Sequence, residues 1–398
     1  MPAVYIARML RRYVLGRILA GVIGIIVFLT VVFFGVRMLV PGDFADNFAF
    51  VGGGIQGQIR EGLGLNAPLW QQYLIWIGRT LTFDLGRTPR GPTVASQLIV
   101  ALPWTLTMFA LGLGSAFYFG VKVERWAGWR KSSTTPTTLG AATMTSLFPP
   151  WLVFLSFYFG LNLFGFRLFN DITAFDFELW EDGPERAVVL WQAIGTVLIA
   201  TTTVFLISRQ LASHQQRAAR WIGLLATVVA LPLVWLQMGI RDQVFDVLLF
   251  LLLPATVLFL ISVGDIILVI AASMDGLAEK DFSLSARAKG LTDRQVRNRH
   301  AGRVALLPAL SRLTANLPFA LGGLVIIEAS FARLGGYRIP IPGVASVLFG
   351  SLRERDLVVV MGGLVVLGVL TLLLRIGLDL AAATIDPRVQ LEKVVVRA

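Results

Sequence analysis

The chain has 398 residues, of which 56% are hydrophobic and 15% charged, whereas ordinary soluble domains are about a quarter charged. It has no cysteine and only two histidines, His214 and His300, which excludes disulfides, thiolate chemistry and cysteine-ligated metals and leaves little for a histidine metal site. A net charge of +11 would suggest nucleic acid in a soluble domain, but apolar blocks of about 20 residues point to a polytopic helical membrane protein whose Lys and Arg gather in cytoplasmic loops.

The expected fold is all-α. A β-barrel would instead show weak alternating segments of about 10 residues. The N-terminus is basic and then apolar, like a signal peptide. The run Ile18 to Val36 is long for a signal core, and Leu39-Val40-Pro41-Gly42-Asp43 is not a small-residue cleavage site, so a retained first helix is expected. Eight spans are placed at roughly 16–40, 98–121, 138–165, 187–207, 222–239, 245–272, 314–332 and 357–378.

After the first span, Pro68 to Leu81 reads as a helix with Asn66 as cap and Pro68 in the first turn. Leu69, Trp70, Tyr73, Leu74, Ile77 and Leu81 fall near one face. Such a helix suits the outer membrane surface, a cover over the pore mouth, or plain packing. Gly112 and Gly114 in the second span indicate close helix packing. In the third span, Pro149-Pro150 should break or bend the helix, and the freed carbonyls must face protein or a cavity, a plausible gate or hinge. Nearby Trp151 reads as packing.

Charge alternates along the loops. Arg8, Arg11, Arg12 and Arg17 precede the first span; Lys122, Arg125, Arg130 and Lys131 follow the second; Arg209, Arg217 and Arg220 follow the fourth. The loop Ser273 to Arg312 carries eight Lys/Arg against four Asp/Glu. The acidic run Asp171, Asp176, Glu178, Glu181, Asp182 and Glu185 falls on the opposite side. Eight spans put all the basic loops on one side, which makes both termini cytoplasmic. Two acids lie within spans, Asp265 and Glu328, and intramembrane acids mark transport paths or bonds between helices. Arg375 near the end of the last span can snorkel.

The basic loop has readable chemistry. A helix from about Leu284 to Lys289 ends at Gly290, the usual residue for a left-handed cap. Thr292 then caps a second helix, Gln295 completes a capping box, and Leu291 and Val296 occupy the staple positions. Asp293 complements the helix dipole. That helix runs toward Pro308, which should end or bend it. Ala286 and Ala288 leave room for a partner, with Arg287, Lys289, Arg294, Arg297, Arg299 and Arg303 around it. The loop suits a docking surface for a soluble partner, or an ordinary basic loop on lipid head groups.

Ser285-Ala286-Arg287-Ala288-Lys289-Gly290-Leu291, Arg299-His300 and Ala305-Leu306-Leu307-Pro308 resemble the signature (EAA) loop of ABC importer permeases, in the version of the dipeptide/oligopeptide/nickel group, first-permease type. Arg37 to Asp43, Leu63 to Tyr73, Asp84-Leu85-Gly86, Glu328 with Phe331, Pro342-Gly343, Arg355-Asp356 and Asp386-Pro387-Arg388 resemble further family motifs in order. Together they cover about 1–165 and 245–390. Single motifs are weak; their order is specific.

The resemblance implies a transport subunit of the prokaryotic cytoplasmic membrane, not an enzyme. It would pair with a second permease subunit in a heterodimer, dock two cytoplasmic ABC ATPase subunits and receive solute from an external substrate-binding protein. ATP and Mg would sit on the partner subunits, with no cofactor or metal on this chain, lipid around it and no nucleic acid. By position, Ala286, Ala288 and Gly290 would shape the docking helix and its turn, with Arg287 and Lys289 flanking the ATPase groove. Ser285, Leu291, Thr292, Arg294, Gln295, Arg299, His300, Leu307 and Pro308 complete the coupling loop.

The family usually has six spans, so 170–244 looks like an inserted helix pair with the acidic loop. The expected organisation is 1–97 for the first helix and external segment, 98–169 for spans two and three, 170–244 for the insertion, 245–390 for the permease core with loop 273–312, and 391–398 for a tail. Ala332 to Pro340 looks long, and Leu357-Val358 replaces the family's aromatic and proline. No Gly-x-x-x-x-Gly-Lys-Ser/Thr loop occurs, so any ATP site must be on another polypeptide. Di- or oligopeptides are the expected solutes, with nickel chelates or glycosides as alternatives. A secondary transporter or channel is the competing reading, though few buried ionisable groups are available for ion coupling. A membrane enzyme lacks any convergent nucleophile and base.

Overall fold

The computed structural model describes residues 2–39, 54, 57, 60–61, 66–88, 93–127, 131–156, 158–159, 183–210, 216–278, 281–331, 341–354 and 356–385. Seven of the described helices are long and apolar enough to cross a membrane, and one bent pair makes an eighth. Among the described residues, the isolated bridge Arg87–Thr93 is the one β-feature. The acidic run Asp171 to Asp182, most of Arg37 to Asp43, Leu63 to Leu65, Ala332 to Pro340, Arg355 and Asp386 to Arg388 lie outside the described residues.

Helix α1 (Pro2–Leu39) stands at the periphery, with Leu19, Ile23, Val27 and Val31 exposed as an apolar stripe. Helix α2 (Leu69–Leu81) packs across its end. Tyr73 Oη hydrogen-bonds Thr30 Oγ1 at 2.7 Å, Phe33 meets the Tyr73 and Trp76 rings, and Arg37 donates to Gln72 Oε1 at 2.8 Å. The packed stripe is therefore Gln72, Tyr73, Trp76 and Ile77, each half-buried, with Thr80 buried. Leu69, Trp70, Leu74 and Leu81 are exposed, although the sequence pattern put them near one face with Tyr73 and Ile77. Asn66 does not cap this helix. Pro68 occupies the N-cap in an extended conformation, and no side chain caps it.

Helix α3 (Val94–Phe109) starts on Thr93, whose side chain accepts from Ser96 N at 3.2 Å. It passes through a π-helical turn (Ala110–Gly114) into α4 (Ser115–Ala127). Helix α5 (Lys131–Thr145) and α6 (Pro149–Ser156) meet at a bend of 99° where the third span was expected, the geometry of a broken span or a re-entrant loop. The break falls at Ser146 to Phe148. Pro149 and Pro150 lie in the first turn of α6, where a missing N–H leaves nothing unpaired.

Helix α7 (Gly183–Gln210) and α8 (Gln216–Gln237) form a hairpin, with Gly223 lying against Val204. It leans on α3 through Trp191 Nε1, which donates to the Ile99 carbonyl at 3.2 Å. A short α9 (Arg241–Phe250) precedes α10 (Leu252–Ala278). The sixth span was expected at 245–272. It starts later because the chain turns at Leu251 and Pro254 needs a place in a first turn.

Helix α10 is central, packing on α4, α5 and α14 (Leu306–Phe331). Glycines permit the close approaches. A Cβ on Gly112 would come within 2.7 Å of Leu258, and one on Gly264 within 2.5 Å of the Ala141 carbonyl oxygen. Gly114 faces open space, so only Gly112 serves the packing expected of the pair. Gly264→Val is expected to force α5 from α10 and destabilise the purified protein by about 1–3 kcal/mol, read as a lowered thermal midpoint. Gly114→Ala should leave that midpoint unchanged.

The main core gathers Trp104, Met108, Phe250, Leu258, Leu317, Leu324 and Phe331 from α3, α9, α10 and α14. Helix α14 starts at Leu306, earlier than the expected 314, with Pro308 in its first turn. A short α15 (Val344–Arg353) and the last span α16 (Leu357–Ile385) complete the bundle.

Candidate functional site

The segment joining α10 to α14 is built by local chemistry. Ser283 Oγ donates to the Leu277 carbonyl at 2.8 Å and turns the chain out of α10. Helix α11 (Asp281–Ala288) follows. It closes through Leu291 N to Ala286 O at 3.2 Å and Gly290 N to Arg287 O at 2.9 Å, with Gly290 at φ +78°. That conformation is the left-handed one in which glycine has no Cβ penalty.

Helix α12 (Asp293–Gln295) opens with the full capping box. Gln295 N donates to Thr292 Oγ1 at 3.3 Å and Thr292 N donates to Gln295 Oε1 at 2.9 Å. A π-helical turn (Val296–Ala301) and α13 (Gly302–Val304) carry the chain to α14.

Arg287 Nε donates to Asp293 Oδ1 at 2.8 Å and bridges the elbow from outside. Ser285, Ala288, Lys289, Gly290, Thr292, Arg294 and Gln295 are exposed, and Leu291 is half-buried. Ala286 differs: at 8% exposure it packs inside its own chain, together with the fully buried Val296. The two alanines expected to make room for a partner therefore divide, Ala288 outward and Ala286 inward. Leu307 is half-buried and Pro308 exposed at the start of α14. The backbone of Arg299 and His300 runs through the π-helical turn; their side chains lie outside the described residues.

Sequence reasoning missed what supports the elbow. Gly302 approaches Arg125 at the end of α4, where a Cβ would lie 3.5 Å from Arg125 Nε. Ala301 and Ala305 enter a cluster with Met274, Leu277, Ile270 and Ala116. Displacement of the elbow therefore pulls on α4, α10 and α14 together. A lone glycine within a helical pattern was the signal available.

The two intramembrane acids have opposite surroundings. Asp265 on α10 accepts from Arg312 Nη2 at 3.2 Å, from Arg312 Nε at 3.3 Å and from Asn316 Nδ2, all on α14. Glu328 on α14 is 0% exposed. Its carboxylate accepts from Thr105 Oγ1 at 3.2 Å and from Ser346 N at 3.0 Å, while Val344 N donates to Thr105 Oγ1 at 2.9 Å. Glu328 thus anchors the N-terminus of α15, where a negative group suits the unpaired N–H groups and the dipole. Within this chain it is closed off from the surface. Pro149 and Pro150 are half-buried beside the bend. Among the described residues no group of three or more His, Cys, Asp or Glu could hold a metal ion.

The family described as binding-protein-dependent transport system inner membrane component matches residues 143–391. That stretch contains the helix bend, both intramembrane acids and the whole elbow, and is more than half of the chain. A protein named as a peptide permease in Brucella ovis is 27% identical over 387 residues, covering 95% of this chain and 99% of that relative. The dipeptide transport system permease protein of Escherichia coli (strain K12) is 25% identical over 390 residues, covering 95% and 98%. Its namesake in Alkalihalophilus pseudofirmus is 22% identical over 383 residues, covering 95% and 99%. This chain therefore belongs to the inner membrane components of binding-protein-dependent transport systems, as a multi-pass permease subunit of the bacterial cytoplasmic membrane.

Proposed function

We propose that this subunit carries di- or oligopeptides through the membrane, and that separate ATPase subunits drive it by docking on the elbow from Asp281 to Ala305. The exposed Ala288–Gly290 corner carries this reading. It has a fixed shape, since a positive-φ glycine and a capping box set its angle, and it is continuous at both ends with membrane helices. The relatives named for peptide and dipeptide transport support the solute class. The complex contains a second, different permease subunit and an external binding protein. The elbow and both termini face the cytoplasm, and the helix pair Gly183–Gln237 is a scaffold around the core.

The test is reconstitution in proteoliposomes. The chain with its cognate second permease, ATPases and binding protein should accumulate a labelled dipeptide only with ATP. Uptake by this chain alone, driven by an ion gradient, would instead support a secondary transporter. Because the chain has no cysteine, Ala288→Cys gives a single thiol whose labelling from the cytoplasmic side alone checks the orientation.

A further inference from the structure

Asp265 lies near the middle of the span Leu252–Asp275, and Arg312 within the span Leu306–Phe331. Their ion pair is not sealed in the core: the Arg312 side chain is 52% exposed and that of Asp265 27%. A charged side chain turned to acyl chains costs about 2.5–3.5 kcal/mol at the centre of a span, so groups this polar face water or protein.

The neighbouring surface is polar as well. Thr145, at the bend of the third span, lies against Gly264, one residue from Asp265. Thr145 and Ser146 are exposed, and each hydroxyl donates to the Ala142 carbonyl of its own helix at 2.9 Å. Their lone pairs stay free to accept. Three separate helices thus contribute polar groups to one stretch of surface at membrane depth.

We propose that Asp265, Arg312 and Asn316 form a subsite on the solute path that holds the charged groups of a passing peptide. The proposal rests on the peptide reading above and adds the residues that contact the solute. Arg312 uses Nε and one terminal nitrogen on Asp265. The guanidinium has five donors, so its outer edge can take a peptide carboxylate while the pair stays intact. The open carboxylate flank of Asp265 and the hydroxyl oxygens of Thr145 and Ser146 suit an ammonium group. A pair with both signs exposed grips a zwitterion without trapping it, because neither charge is left alone when the solute departs.

The experiment compares the ATP-driven uptake of alanyl-glutamate and alanyl-lysine by the reconstituted complex. The same binding protein is used throughout, so its own preference cancels. The exchange Asp265→Arg with Arg312→Asp keeps an ion pair between α10 and α14 but moves each charge. We expect it to shift the lysine-to-glutamate uptake ratio by about tenfold, the effect of reversing a charge at a contact. Restored uptake at the wild-type ratio would reduce the pair to a brace between helices and overturn the subsite.

If the exchanged chain fails to assemble, Asn316→Cys decides. Labelling by a membrane-impermeant sulfonated thiol reagent, slowed by excess dipeptide, supports the subsite. No labelling, or labelling indifferent to dipeptide, overturns it. Wild-type complex that takes up neither dipeptide would refute the peptide class itself, which is a separate result from an unshifted ratio.

Discussion

Gly290→Asp is expected to leave the chain folded and inserted while separating ATP hydrolysis from uptake. No heavy atom beyond the chain neighbours lies within 4 Å of the position a Cβ would take, so the new side chain meets no packed neighbour. Its intrinsic penalty is that of a left-handed non-glycine residue, about 1–2 kcal/mol. Aspartate tolerates that region better than most residues, which helps the fold survive. The elbow is different. Relaxing φ from +78° changes the angle between α11 and α12, and the new carboxylate competes with Asp293 for Arg287.

Peptide taken up per ATP hydrolysed should fall by about 5–150-fold, the span of ordinary coupling energies. Ala288→Glu should act likewise, through its exposed position alone. Ala286→Glu is the contrast: at 8% exposure it buries a charge, so the protein should fail to accumulate at all. Thr292→Ala removes the cap and should cost about 1 kcal/mol locally, with a smaller loss of coupling. Wild-type uptake per ATP in assembled Gly290→Asp and Ala288→Glu complexes would refute the elbow as the coupling device.

The division between Ala286 and Ala288 shows where sequence reading stops. Residues two positions apart on a helix point about 200° from each other, so Ala286 and Ala288 cannot both face a partner. A short, polar helix has no apolar stripe to say which. The turn itself was fully legible, because Gly290, Thr292 and Gln295 act on neighbours a few residues away. Span existence was legible for a similar reason, since length and apolarity are local properties. The break in the third span was legible because two adjacent prolines, Pro149 and Pro150, cannot both continue a helix begun before them. At Pro254 the flanking residues are all apolar, so the restart at Leu252 left no mark in composition.

The side on which α2 packs depended on which ring met Phe33 of α1, and no periodicity within α2 encodes that. The two intramembrane acids looked equivalent in sequence, each a lone carboxylate in an apolar run. Their partners are distant: Arg312 lies 47 residues from Asp265, and Thr105 lies 223 residues from Glu328. Only the packed bundle makes one a surface ion pair and the other a buried helix anchor.

That difference yields a second large effect, at Glu328. The carboxylate joins three elements: it takes a hydroxyl from α3 and a backbone N–H from α15 while itself standing on α14. Glu328→Ala leaves these donors inside the protein without an acceptor, at about 1–3 kcal/mol for each. The expected loss is about 2–5 kcal/mol, read as a lowered thermal midpoint and a smaller yield of assembled complex. Glu328→Gln keeps one oxygen acceptor and should fall between the two.

Thr105→Val removes the hydroxyl that also accepts from Val344 N, so it damages the same network from the other side. The double variant with Glu328→Ala should therefore cost less than the sum of the singles, as residues sharing one network do. Gly343→Ala would push a methyl into the Glu328 carboxylate and should displace α15 without touching its charge. All of these lower uptake of every solute in proportion, because they loosen an anchor and leave the path's chemistry alone. A Glu328→Ala protein that melts with wild-type but has an altered preference among peptides would place this carboxylate on the path after all.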